Sequence, residues 1–451
     1  MRDLHRSSAL WITAWSRKTV QPPVAVHRAP WLLPVSRPPV RNGGLAVQSG
    51  RILELGRFNE VARNHPGAEV VDYPDAVLMP GLINAHAHLE LSHLAYLSRR
   101  PSPSTFTGWI EHMLAERTKV GSEDKVIQEA ARVVLADQQR QGVVVVADIS
   151  NTGLTRDLSS EFTGRLFCFK EYLGLRASEL TASLHSLKAE VEHPDVHCTA
   201  HAPYSTHIQL LLSLKNRAVR LGQIFPVHVA ESSAEHAMVS RGRGEMLEFL
   251  EQRGFWDDSF QPTGMDSNGS VSYLHRHGLL DSGTLCVHCI HVTGQEIDLL
   301  VETATKVCLC PGSNRYLGVG KAPVDKYLHK GILPALGTDS LTSNPELSIW
   351  HEMCLLAEEH PGIDPMDILR MATLGGAEAL GLGNQLGSLE PGKEAAIIAV
   401  QLTEPVRSTF SLAEYLVYQN HQEPYLLRVS IAKTMQQRTA LSRLLNVVPS
   451  G

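Results

Sequence analysis

No stretch of this chain approaches the roughly 18 uninterrupted apolar residues that a bilayer-crossing helix requires, so the sequence offers no membrane span. The opening residues 1–20 contain Trp11 and Ile12 but no apolar run of signal-peptide length. A basic block is also missing: 41 Lys and Arg against 47 Asp and Glu leave a formal net charge of −6, spread along the chain. Nucleic acid demands a concentrated Lys/Arg surface, so it is not the expected partner. Cysteine is scarce and odd in number, seven in all, mostly inside apolar runs as at Cys286 and Cys308. That usage reads as reduced thiols in a cytoplasmic protein. Cys286 and Cys289 form one CxxC, but Cys308 and Cys310 are only two apart, which argues against a zinc ribbon. Neither a solenoid-length repeat nor a low-complexity tract is present.

What remains is an ordinary globular composition, 43% apolar and 20% charged over 451 residues. An α/β barrel takes about 250 residues as one unit, which leaves room for a small companion domain. Eight short apolar runs read as barrel strands: 77–88, 143–150, 165–171, 197–201, 225–230, 284–289, 306–310 and 333–339. Amphipathic, helix-like stretches lie between them, among them 125–140, 209–221, 244–252 and 295–303. Near-continuous apolar strands alternating with helices imply a parallel sheet covered by helices. Eight such units predict a (β/α)8 TIM barrel over 75–385. The flanks differ. Residues 43–55, turning at Gly50, and 387–400, turning at Gly392 and Lys393, read as short antiparallel strands. They predict a small composite β-sandwich domain shared by 1–74 and 386–451.

Reacting groups of such a barrel project from the C-terminal ends of its strands. His86 and His88 end the first expected strand, His201 the fourth, His228 the fifth, His288 the sixth and Asp339 the eighth. Positions i and i+2 of a strand share a face, so both first-strand imidazoles can meet one ion. The small residues Gly81, Ala85 and Ala87 leave space beneath them. A His-x-His pair alone is a common structural accident; joined to a strand-end His and a strand-end Asp, it is not. Three imidazoles and a carboxylate suit Zn²⁺ or Fe²⁺ better than Mg²⁺ or Ca²⁺. The expected metal ligands are therefore His86, His88, His228 and Asp339 around one divalent ion.

The same residues carry a resemblance. Pro80-Gly-Leu-Ile-Asn-Ala-His86-Ala-His88, Val227-His228-Val-Ala-Glu231, Val287-His288-Cys289 and Leu336-Gly-Thr-Asp339 resemble the signature strands of the amidohydrolase superfamily. The branch resembled holds the chlorohydrolases and amino-purine deaminases, and the likeness covers nearly the whole chain. It implies a single metal on the four ligands named. It implies that Glu231 carries a proton from the activated water to a ring nitrogen of the substrate. His288 then orients or deprotonates that water, and Asp339 helps to accept its proton. His201, in His-Ala-Pro-Tyr, resembles a substrate-contacting position, and 89–104 with Phe106, Trp109 and Ile110 resembles the loop that lids the pocket. Glu90 and Trp109 of that region, and Asn314 in Cys-Pro-Gly-Ser-Asn, complete the expected substrate-binding set.

Departures from the wider pattern narrow the choice. Dinuclear members carry a bridging Lys on a barrel strand; the fourth strand here has none, and Lys170 on the third is poorly matched. Adenosine-derivative deaminases often have Gly after the eighth-strand Asp, where this chain has Ser340, whereas Leu89-Glu90-Leu91-Ser92 resembles members acting on aminodeoxyfutalosine. The resemblance thus implies hydrolytic deamination of an adenine-type nucleoside: aminodeoxyfutalosine, or a compound like S-adenosylhomocysteine or methylthioadenosine. A chlorohydrolase, or a deaminase of guanine or another heterocycle, would use the same site. A non-catalytic scaffold of this fold would be expected to have lost its ligands. A small-molecule substrate is the expected partner, and a homodimer is common among such proteins.

Overall fold

The computed structural model of the chain describes residues 23–121, 123–265, 268–404 and 406–418, and the backbone of 427–429. The expected absence of a leader in 1–20 and most of the expected C-terminal flank beyond 418 lie outside the described residues. Strands β1 (Ala25–Leu32), β2 (Val40–Gln48), β3 (Arg51–Arg57), β4 (Glu69–Asp72) and β5 (Ala76–Pro80) come first. Then follow β6 (Leu82–Ala87), β7 (Val143–Ser150), β8 (Arg165–Tyr172) and β9 (His197–Ala200). The next four are β10 (Phe225–Val229), β11 (Thr284–His288), β12 (Lys306–Leu309) and β13 (Ala335–Leu336), and the last are β14 (Ile397–Gln401) and β15 (Leu427–Val429).

Both ends of the chain meet in one seven-stranded sheet, ordered β15-β14-β5-β1-β2-β3 with β4 beside β1. The seam between them is antiparallel, with Leu78 opposite Ala399. Leu32, Leu45, Ile52, Leu78, Ile397 and Ala399 form its core. The expected strand 77–88 is therefore two strands, and only the second belongs to the barrel. They break at Gly81, where a Cβ would lie 2.3 Å from Val144 Cγ1.

The barrel strands form two parallel four-stranded sheets, β6-β7-β8-β9 and β10-β11-β12-β13. Backbone hydrogen bonds join them on both sides. His228 N donates to His201 O (2.9 Å), while Thr338 N and Asp339 N donate to His86 O (2.9 and 3.1 Å). Every residue of β7, β10 and β11 is buried, as strands enclosed on both faces must be. The helices pack outside. In Asp124–Arg140 the buried positions Ile127, Ala131, Leu135 and Gln138 recur every three to four residues and face the strands. Local signals set helix ends: Thr293 and Glu296 cap Gly294–Glu302 reciprocally, and Gly222 at φ 64° stops Ile208–Leu221.

Candidate metal centre and active site

His86 on β6 and His88 just past its end point the same way, as alternate residues of an extended segment do. Asp339 is brought to them by the β13 seam, because a Cβ on Gly337 would sit only 2.8 Å from His86 Cβ. The eighth strand pairs with β12 through Ala335–Leu336 and meets β6 at a single Ala87–Asp339 bridge, rather than running continuously over 333–339 as expected, because Thr338 and Asp339 turn to bind the His86 carbonyl. Asp339 then adopts φ 58°, and Ala230 (54°), His288 (72°) and Cys289 (47°) are likewise left-handed at neighbouring strand ends. Such backbone is uncommon outside glycine and clusters where geometry serves a site.

His228 Nε2 lies 3.2 Å from His86 Nε2 and 3.3 Å from His88 Nε2. Asp339 Oδ1 lies 3.5 Å from His88 Nε2 and 3.8 Å from His86 Nε2. A tetrahedral zinc with bonds of about 2.0–2.1 Å would set its ligand atoms about 3.3–3.4 Å apart. His228 Nδ1 donates to the His201 carbonyl at 2.9 Å, so its Nε2 bears a lone pair facing two other imidazole nitrogens. Burial, then the neighbouring imidazoles, hold His86 and His228 well below the usual histidine range, so both are neutral, as ligands must be. Burial pushes the Asp339 carboxyl up, but His88, His288, His86 and the Ser313 hydroxyl outweigh it and hold it at about 2. Its other oxygen accepts from Ser313 (2.5 Å) and Ser343 (2.9 Å), which leaves Oδ1 for an ion. Two neutral imidazoles and an ionised carboxylate oxygen converging beside His88 Nε2 fit one divalent cation.

Beside this cluster, Glu231, His288 and Asp339 place donor atoms within 4.8 Å of one another. His288 Nδ1 donates to Asn314 Oδ1 at 3.0 Å, so the buried Nε2 is an acceptor, and it has no partner. It lies 3.6 Å from Glu231 Oε1. The turn carrying Glu231 is clamped by Glu235, whose oxygens accept from Ala230 N and Glu231 N, both at 2.8 Å. Burial first, then Asp339 and Glu235, raise the Glu231 carboxyl well above the usual range, which suits a proton carrier.

Of the expected substrate-binding residues, His201 packs against His228, with ring centroids 4.9 Å apart. His201 stands at the end of β9, with Nδ1 2.6 Å from Ser205 Oγ. Glu90 accepts four hydrogen bonds, from Ser150 Oγ (2.8 Å), Asn151 N (2.8 Å), Thr152 N (3.0 Å) and Thr152 Oγ1 (2.7 Å). It thereby ties the segment after His88 to the loop after β7. Trp109 donates its indole N–H to Thr342 O at 3.4 Å and stacks on Phe106, joining the first-loop helix to the segment beyond Asp339. Asn314 bonds to His288. Lys170, set aside as a bridging ligand, pairs with Glu190.

Sequence reasoning missed Glu171, Ser313, Ser343 and Glu235. Glu171 ends the third expected strand, so the strand-end rule that found His201 would have found it. Burial, opposed by His88 and Asn151, pushes its carboxyl up to about 7. Ser313 and Ser343 lie in loops whose paths a sequence does not specify.

The model of the Amidohydrolase family matches residues 77–424. The chain belongs to the amidohydrolase family. This amidohydrolase is 30% identical to a 5-methylthioadenosine/S-adenosylhomocysteine deaminase of Nitratidesulfovibrio vulgaris, over 85% of this chain and 84% of the relative. It is 28% identical to a protein of the same name from Moorella thermoacetica, over 83% and 85%. Among solved structures, it shares the fold of Helicobacter pylori aminofutalosine deaminase in complex with methylthio-coformycin. There the TM-score is 0.74 at 21% identity, covering 87% of this chain and 96% of that one. A zinc-bound adenosine deaminase from Xanthomonas campestris gives a TM-score of 0.72 at 22% identity, covering 93% and 97%.

Proposed function

We propose that this amidohydrolase deaminates an adenine-type nucleoside hydrolytically: water adds at the amino-bearing ring carbon, the exocyclic nitrogen leaves as ammonia, and an oxo group remains. His86, His88, His228 and Asp339 would hold one divalent ion, Zn²⁺ by preference and Fe²⁺ as the alternative, which would supply Lewis-acid activation of the attacking water. His288 Nε2 accepts a proton from that water. Glu231, protonated at the outset, delivers its proton to the adjacent ring nitrogen. It then takes up the hydroxyl proton of the adduct as the oxo group forms and passes it to the departing amine, and the proton held by His288 then restores Glu231. Glu90, Trp109 and Asn314 hold the walls of the substrate pocket, and His201 faces the substrate. We place the protein in the cytoplasm, in keeping with its free cysteines.

The observation that carries this reading is the unpartnered His288 Nε2 set 3.6 Å from a buried Glu231 beside the four-donor cluster. A scaffold has no use for a buried base and a buried acid arranged so. The likeness to 5-methylthioadenosine/S-adenosylhomocysteine deaminases, 28–30% identical over most of the chain, supports an adenine nucleoside over a chlorinated ring. In the test, zinc-loaded protein is incubated with 5′-methylthioadenosine, S-adenosylhomocysteine, adenosine, aminodeoxyfutalosine, guanine and a chlorotriazine. Ammonia release with a purine absorbance change on one of the adenine nucleosides is expected. Chloride release without ammonia, or a protein that neither retains metal nor turns over any compound, would overturn it.

A further inference from the structure

At the ends of β8 and β9, a buried acceptor without a partner, Glu171 Oε1, stands beside the metal-donor cluster, with His201 next to it. Glu171 Oε1 is buried and accepts nothing, while Oε2 accepts from Asn151 Nδ2 at 2.8 Å. Asn151 is fixed in turn, since its Oδ1 accepts from Arg117 Nη1 at 3.1 Å. His228 Nδ1 lies 3.7 Å from Oε1, beyond hydrogen-bond reach, and its proton is given to the His201 carbonyl. On His201, Ser205 Oγ–H donates to Ala202 O at 3.3 Å, so Oγ accepts from Nδ1–H and Nε2 keeps its lone pair. Glu171, His201 and His228 hold candidate ligand atoms within 4.8 Å of one another. A second metal does not fit there, because the His228 Nδ1 proton is already committed and only two donors remain. A ligand ammonium does not fit either, because a dication on His88 and His228 would repel it at short range.

A buried acceptor with no donor, beside an imidazole nitrogen that keeps its lone pair, selects a ligand that brings two adjacent O–H groups. We propose that Glu171 and His201 form a subsite for a vicinal cis-diol, the 2′- and 3′-hydroxyls of a nucleoside sugar, one hydroxyl donating to Glu171 Oε1 and the other to His201 Nε2. This rests on the adenine-nucleoside reading, which puts the reacting ring against Glu231 and His288. The sugar then lies across His228, toward β8 and β9. The subsite makes the enzyme selective for ribonucleosides over free bases and deoxynucleosides. A buried acceptor left without its donor penalises the analogue that lacks the hydroxyl.

The test compares adenosine, 2′-deoxyadenosine and 3′-deoxyadenosine on the zinc-loaded full-length protein. Adenosine is expected to have at least a roughly tenfold higher kcat/KM than either analogue, the difference residing in KM. Glu171→Gln should shrink that ratio to within about threefold, with zinc content unchanged. Equal kcat/KM for all three in the wild type overturns the subsite while leaving the deaminase reading intact. So does a Glu171→Gln variant that slows all three by one common factor, the signature of a merely structural role. If no amino-purine is turned over, the deaminase reading fails and the subsite is judged by calorimetry with inosine and 2′-deoxyinosine. A preference of tenfold or more for inosine would uphold it, and equal Kd values would overturn it.

Discussion

Replacing Asn314 by leucine removes the acceptor that fixes the His288 tautomer and keeps the branched outline of the side chain. In the native chain Nδ1–H donates to Asn314 Oδ1 at 3.0 Å, so the unpartnered Nε2 must be the basic nitrogen. Without Asn314, a proton on Nδ1 would be buried and unsatisfied, at a cost of about 1–3 kcal/mol. Moving the proton to Nε2, where Glu231 Oε1 lies 3.6 Å away, relieves that cost but abolishes the base. At about 1.36 kcal/mol per factor of ten, the competent tautomer falls about 5- to 150-fold, and kcat falls with it. His288 is not among the four proposed metal donors, so zinc content should not change. The assay is steady-state ammonia release from 5′-methylthioadenosine, with zinc stoichiometry and thermal unfolding measured on the same preparation. A folded, zinc-replete Asn314→Leu enzyme with kcat within twofold of wild type would refute the assignment of His288 as base.

Glu231→Gln keeps the shape of the site and loses the titrating proton, so turnover should drop by about 10²–10⁴-fold while zinc remains bound. Full activity in a metal-loaded variant would remove Glu231 from the mechanism. His228→Ala deletes a donor shared by two short nitrogen contacts, and its thermal midpoint should no longer rise on adding Zn²⁺ as the wild-type midpoint does; an undiminished shift would place the metal elsewhere. Glu352 supplies a pH dependence. Burial, opposed by Gly312 N–H and Asn344 and reinforced by Asp339 and Glu359, pushes its carboxyl up to about 8 from 4.5. The folded state thus binds the proton more tightly than the unfolded chain, so this group costs stability progressively as pH rises from about 4.5 to 8. Glu352→Gln should flatten the fall in Tm between pH 5.5 and 8.5, and an unchanged slope would show that another group sets it.

Much of the barrel was legible because its strands are buried on both faces and read as apolar runs, as β7 does from Val143 to Ser150. Helix ends were legible within a residue or two, since capping is local: 209–221 was expected and Ile208–Leu221 formed. The break at Gly81 was not legible, because the alternating pattern runs on through it and only the packing of Val144 requires a residue without a Cβ. The short eighth strand escaped for a similar reason: its final residues bond to the His86 carbonyl across the seam.

By itself, the sequence determined which chemical groups this protein can bring to a reaction. His86, His88, His228, His288, Glu231 and Asp339 sit at strand ends because side-chain period and strand length are local properties of the chain. Only the tertiary structure decided how each group is tuned. Contacts across the barrel set the His288 tautomer through Asn314, the free oxygen of Asp339 through Ser313 and Ser343, and the open valence of Glu171. Hydrogen-bond direction and burial belong to neighbours that are remote along the chain, and folding alone brings them within three ångströms.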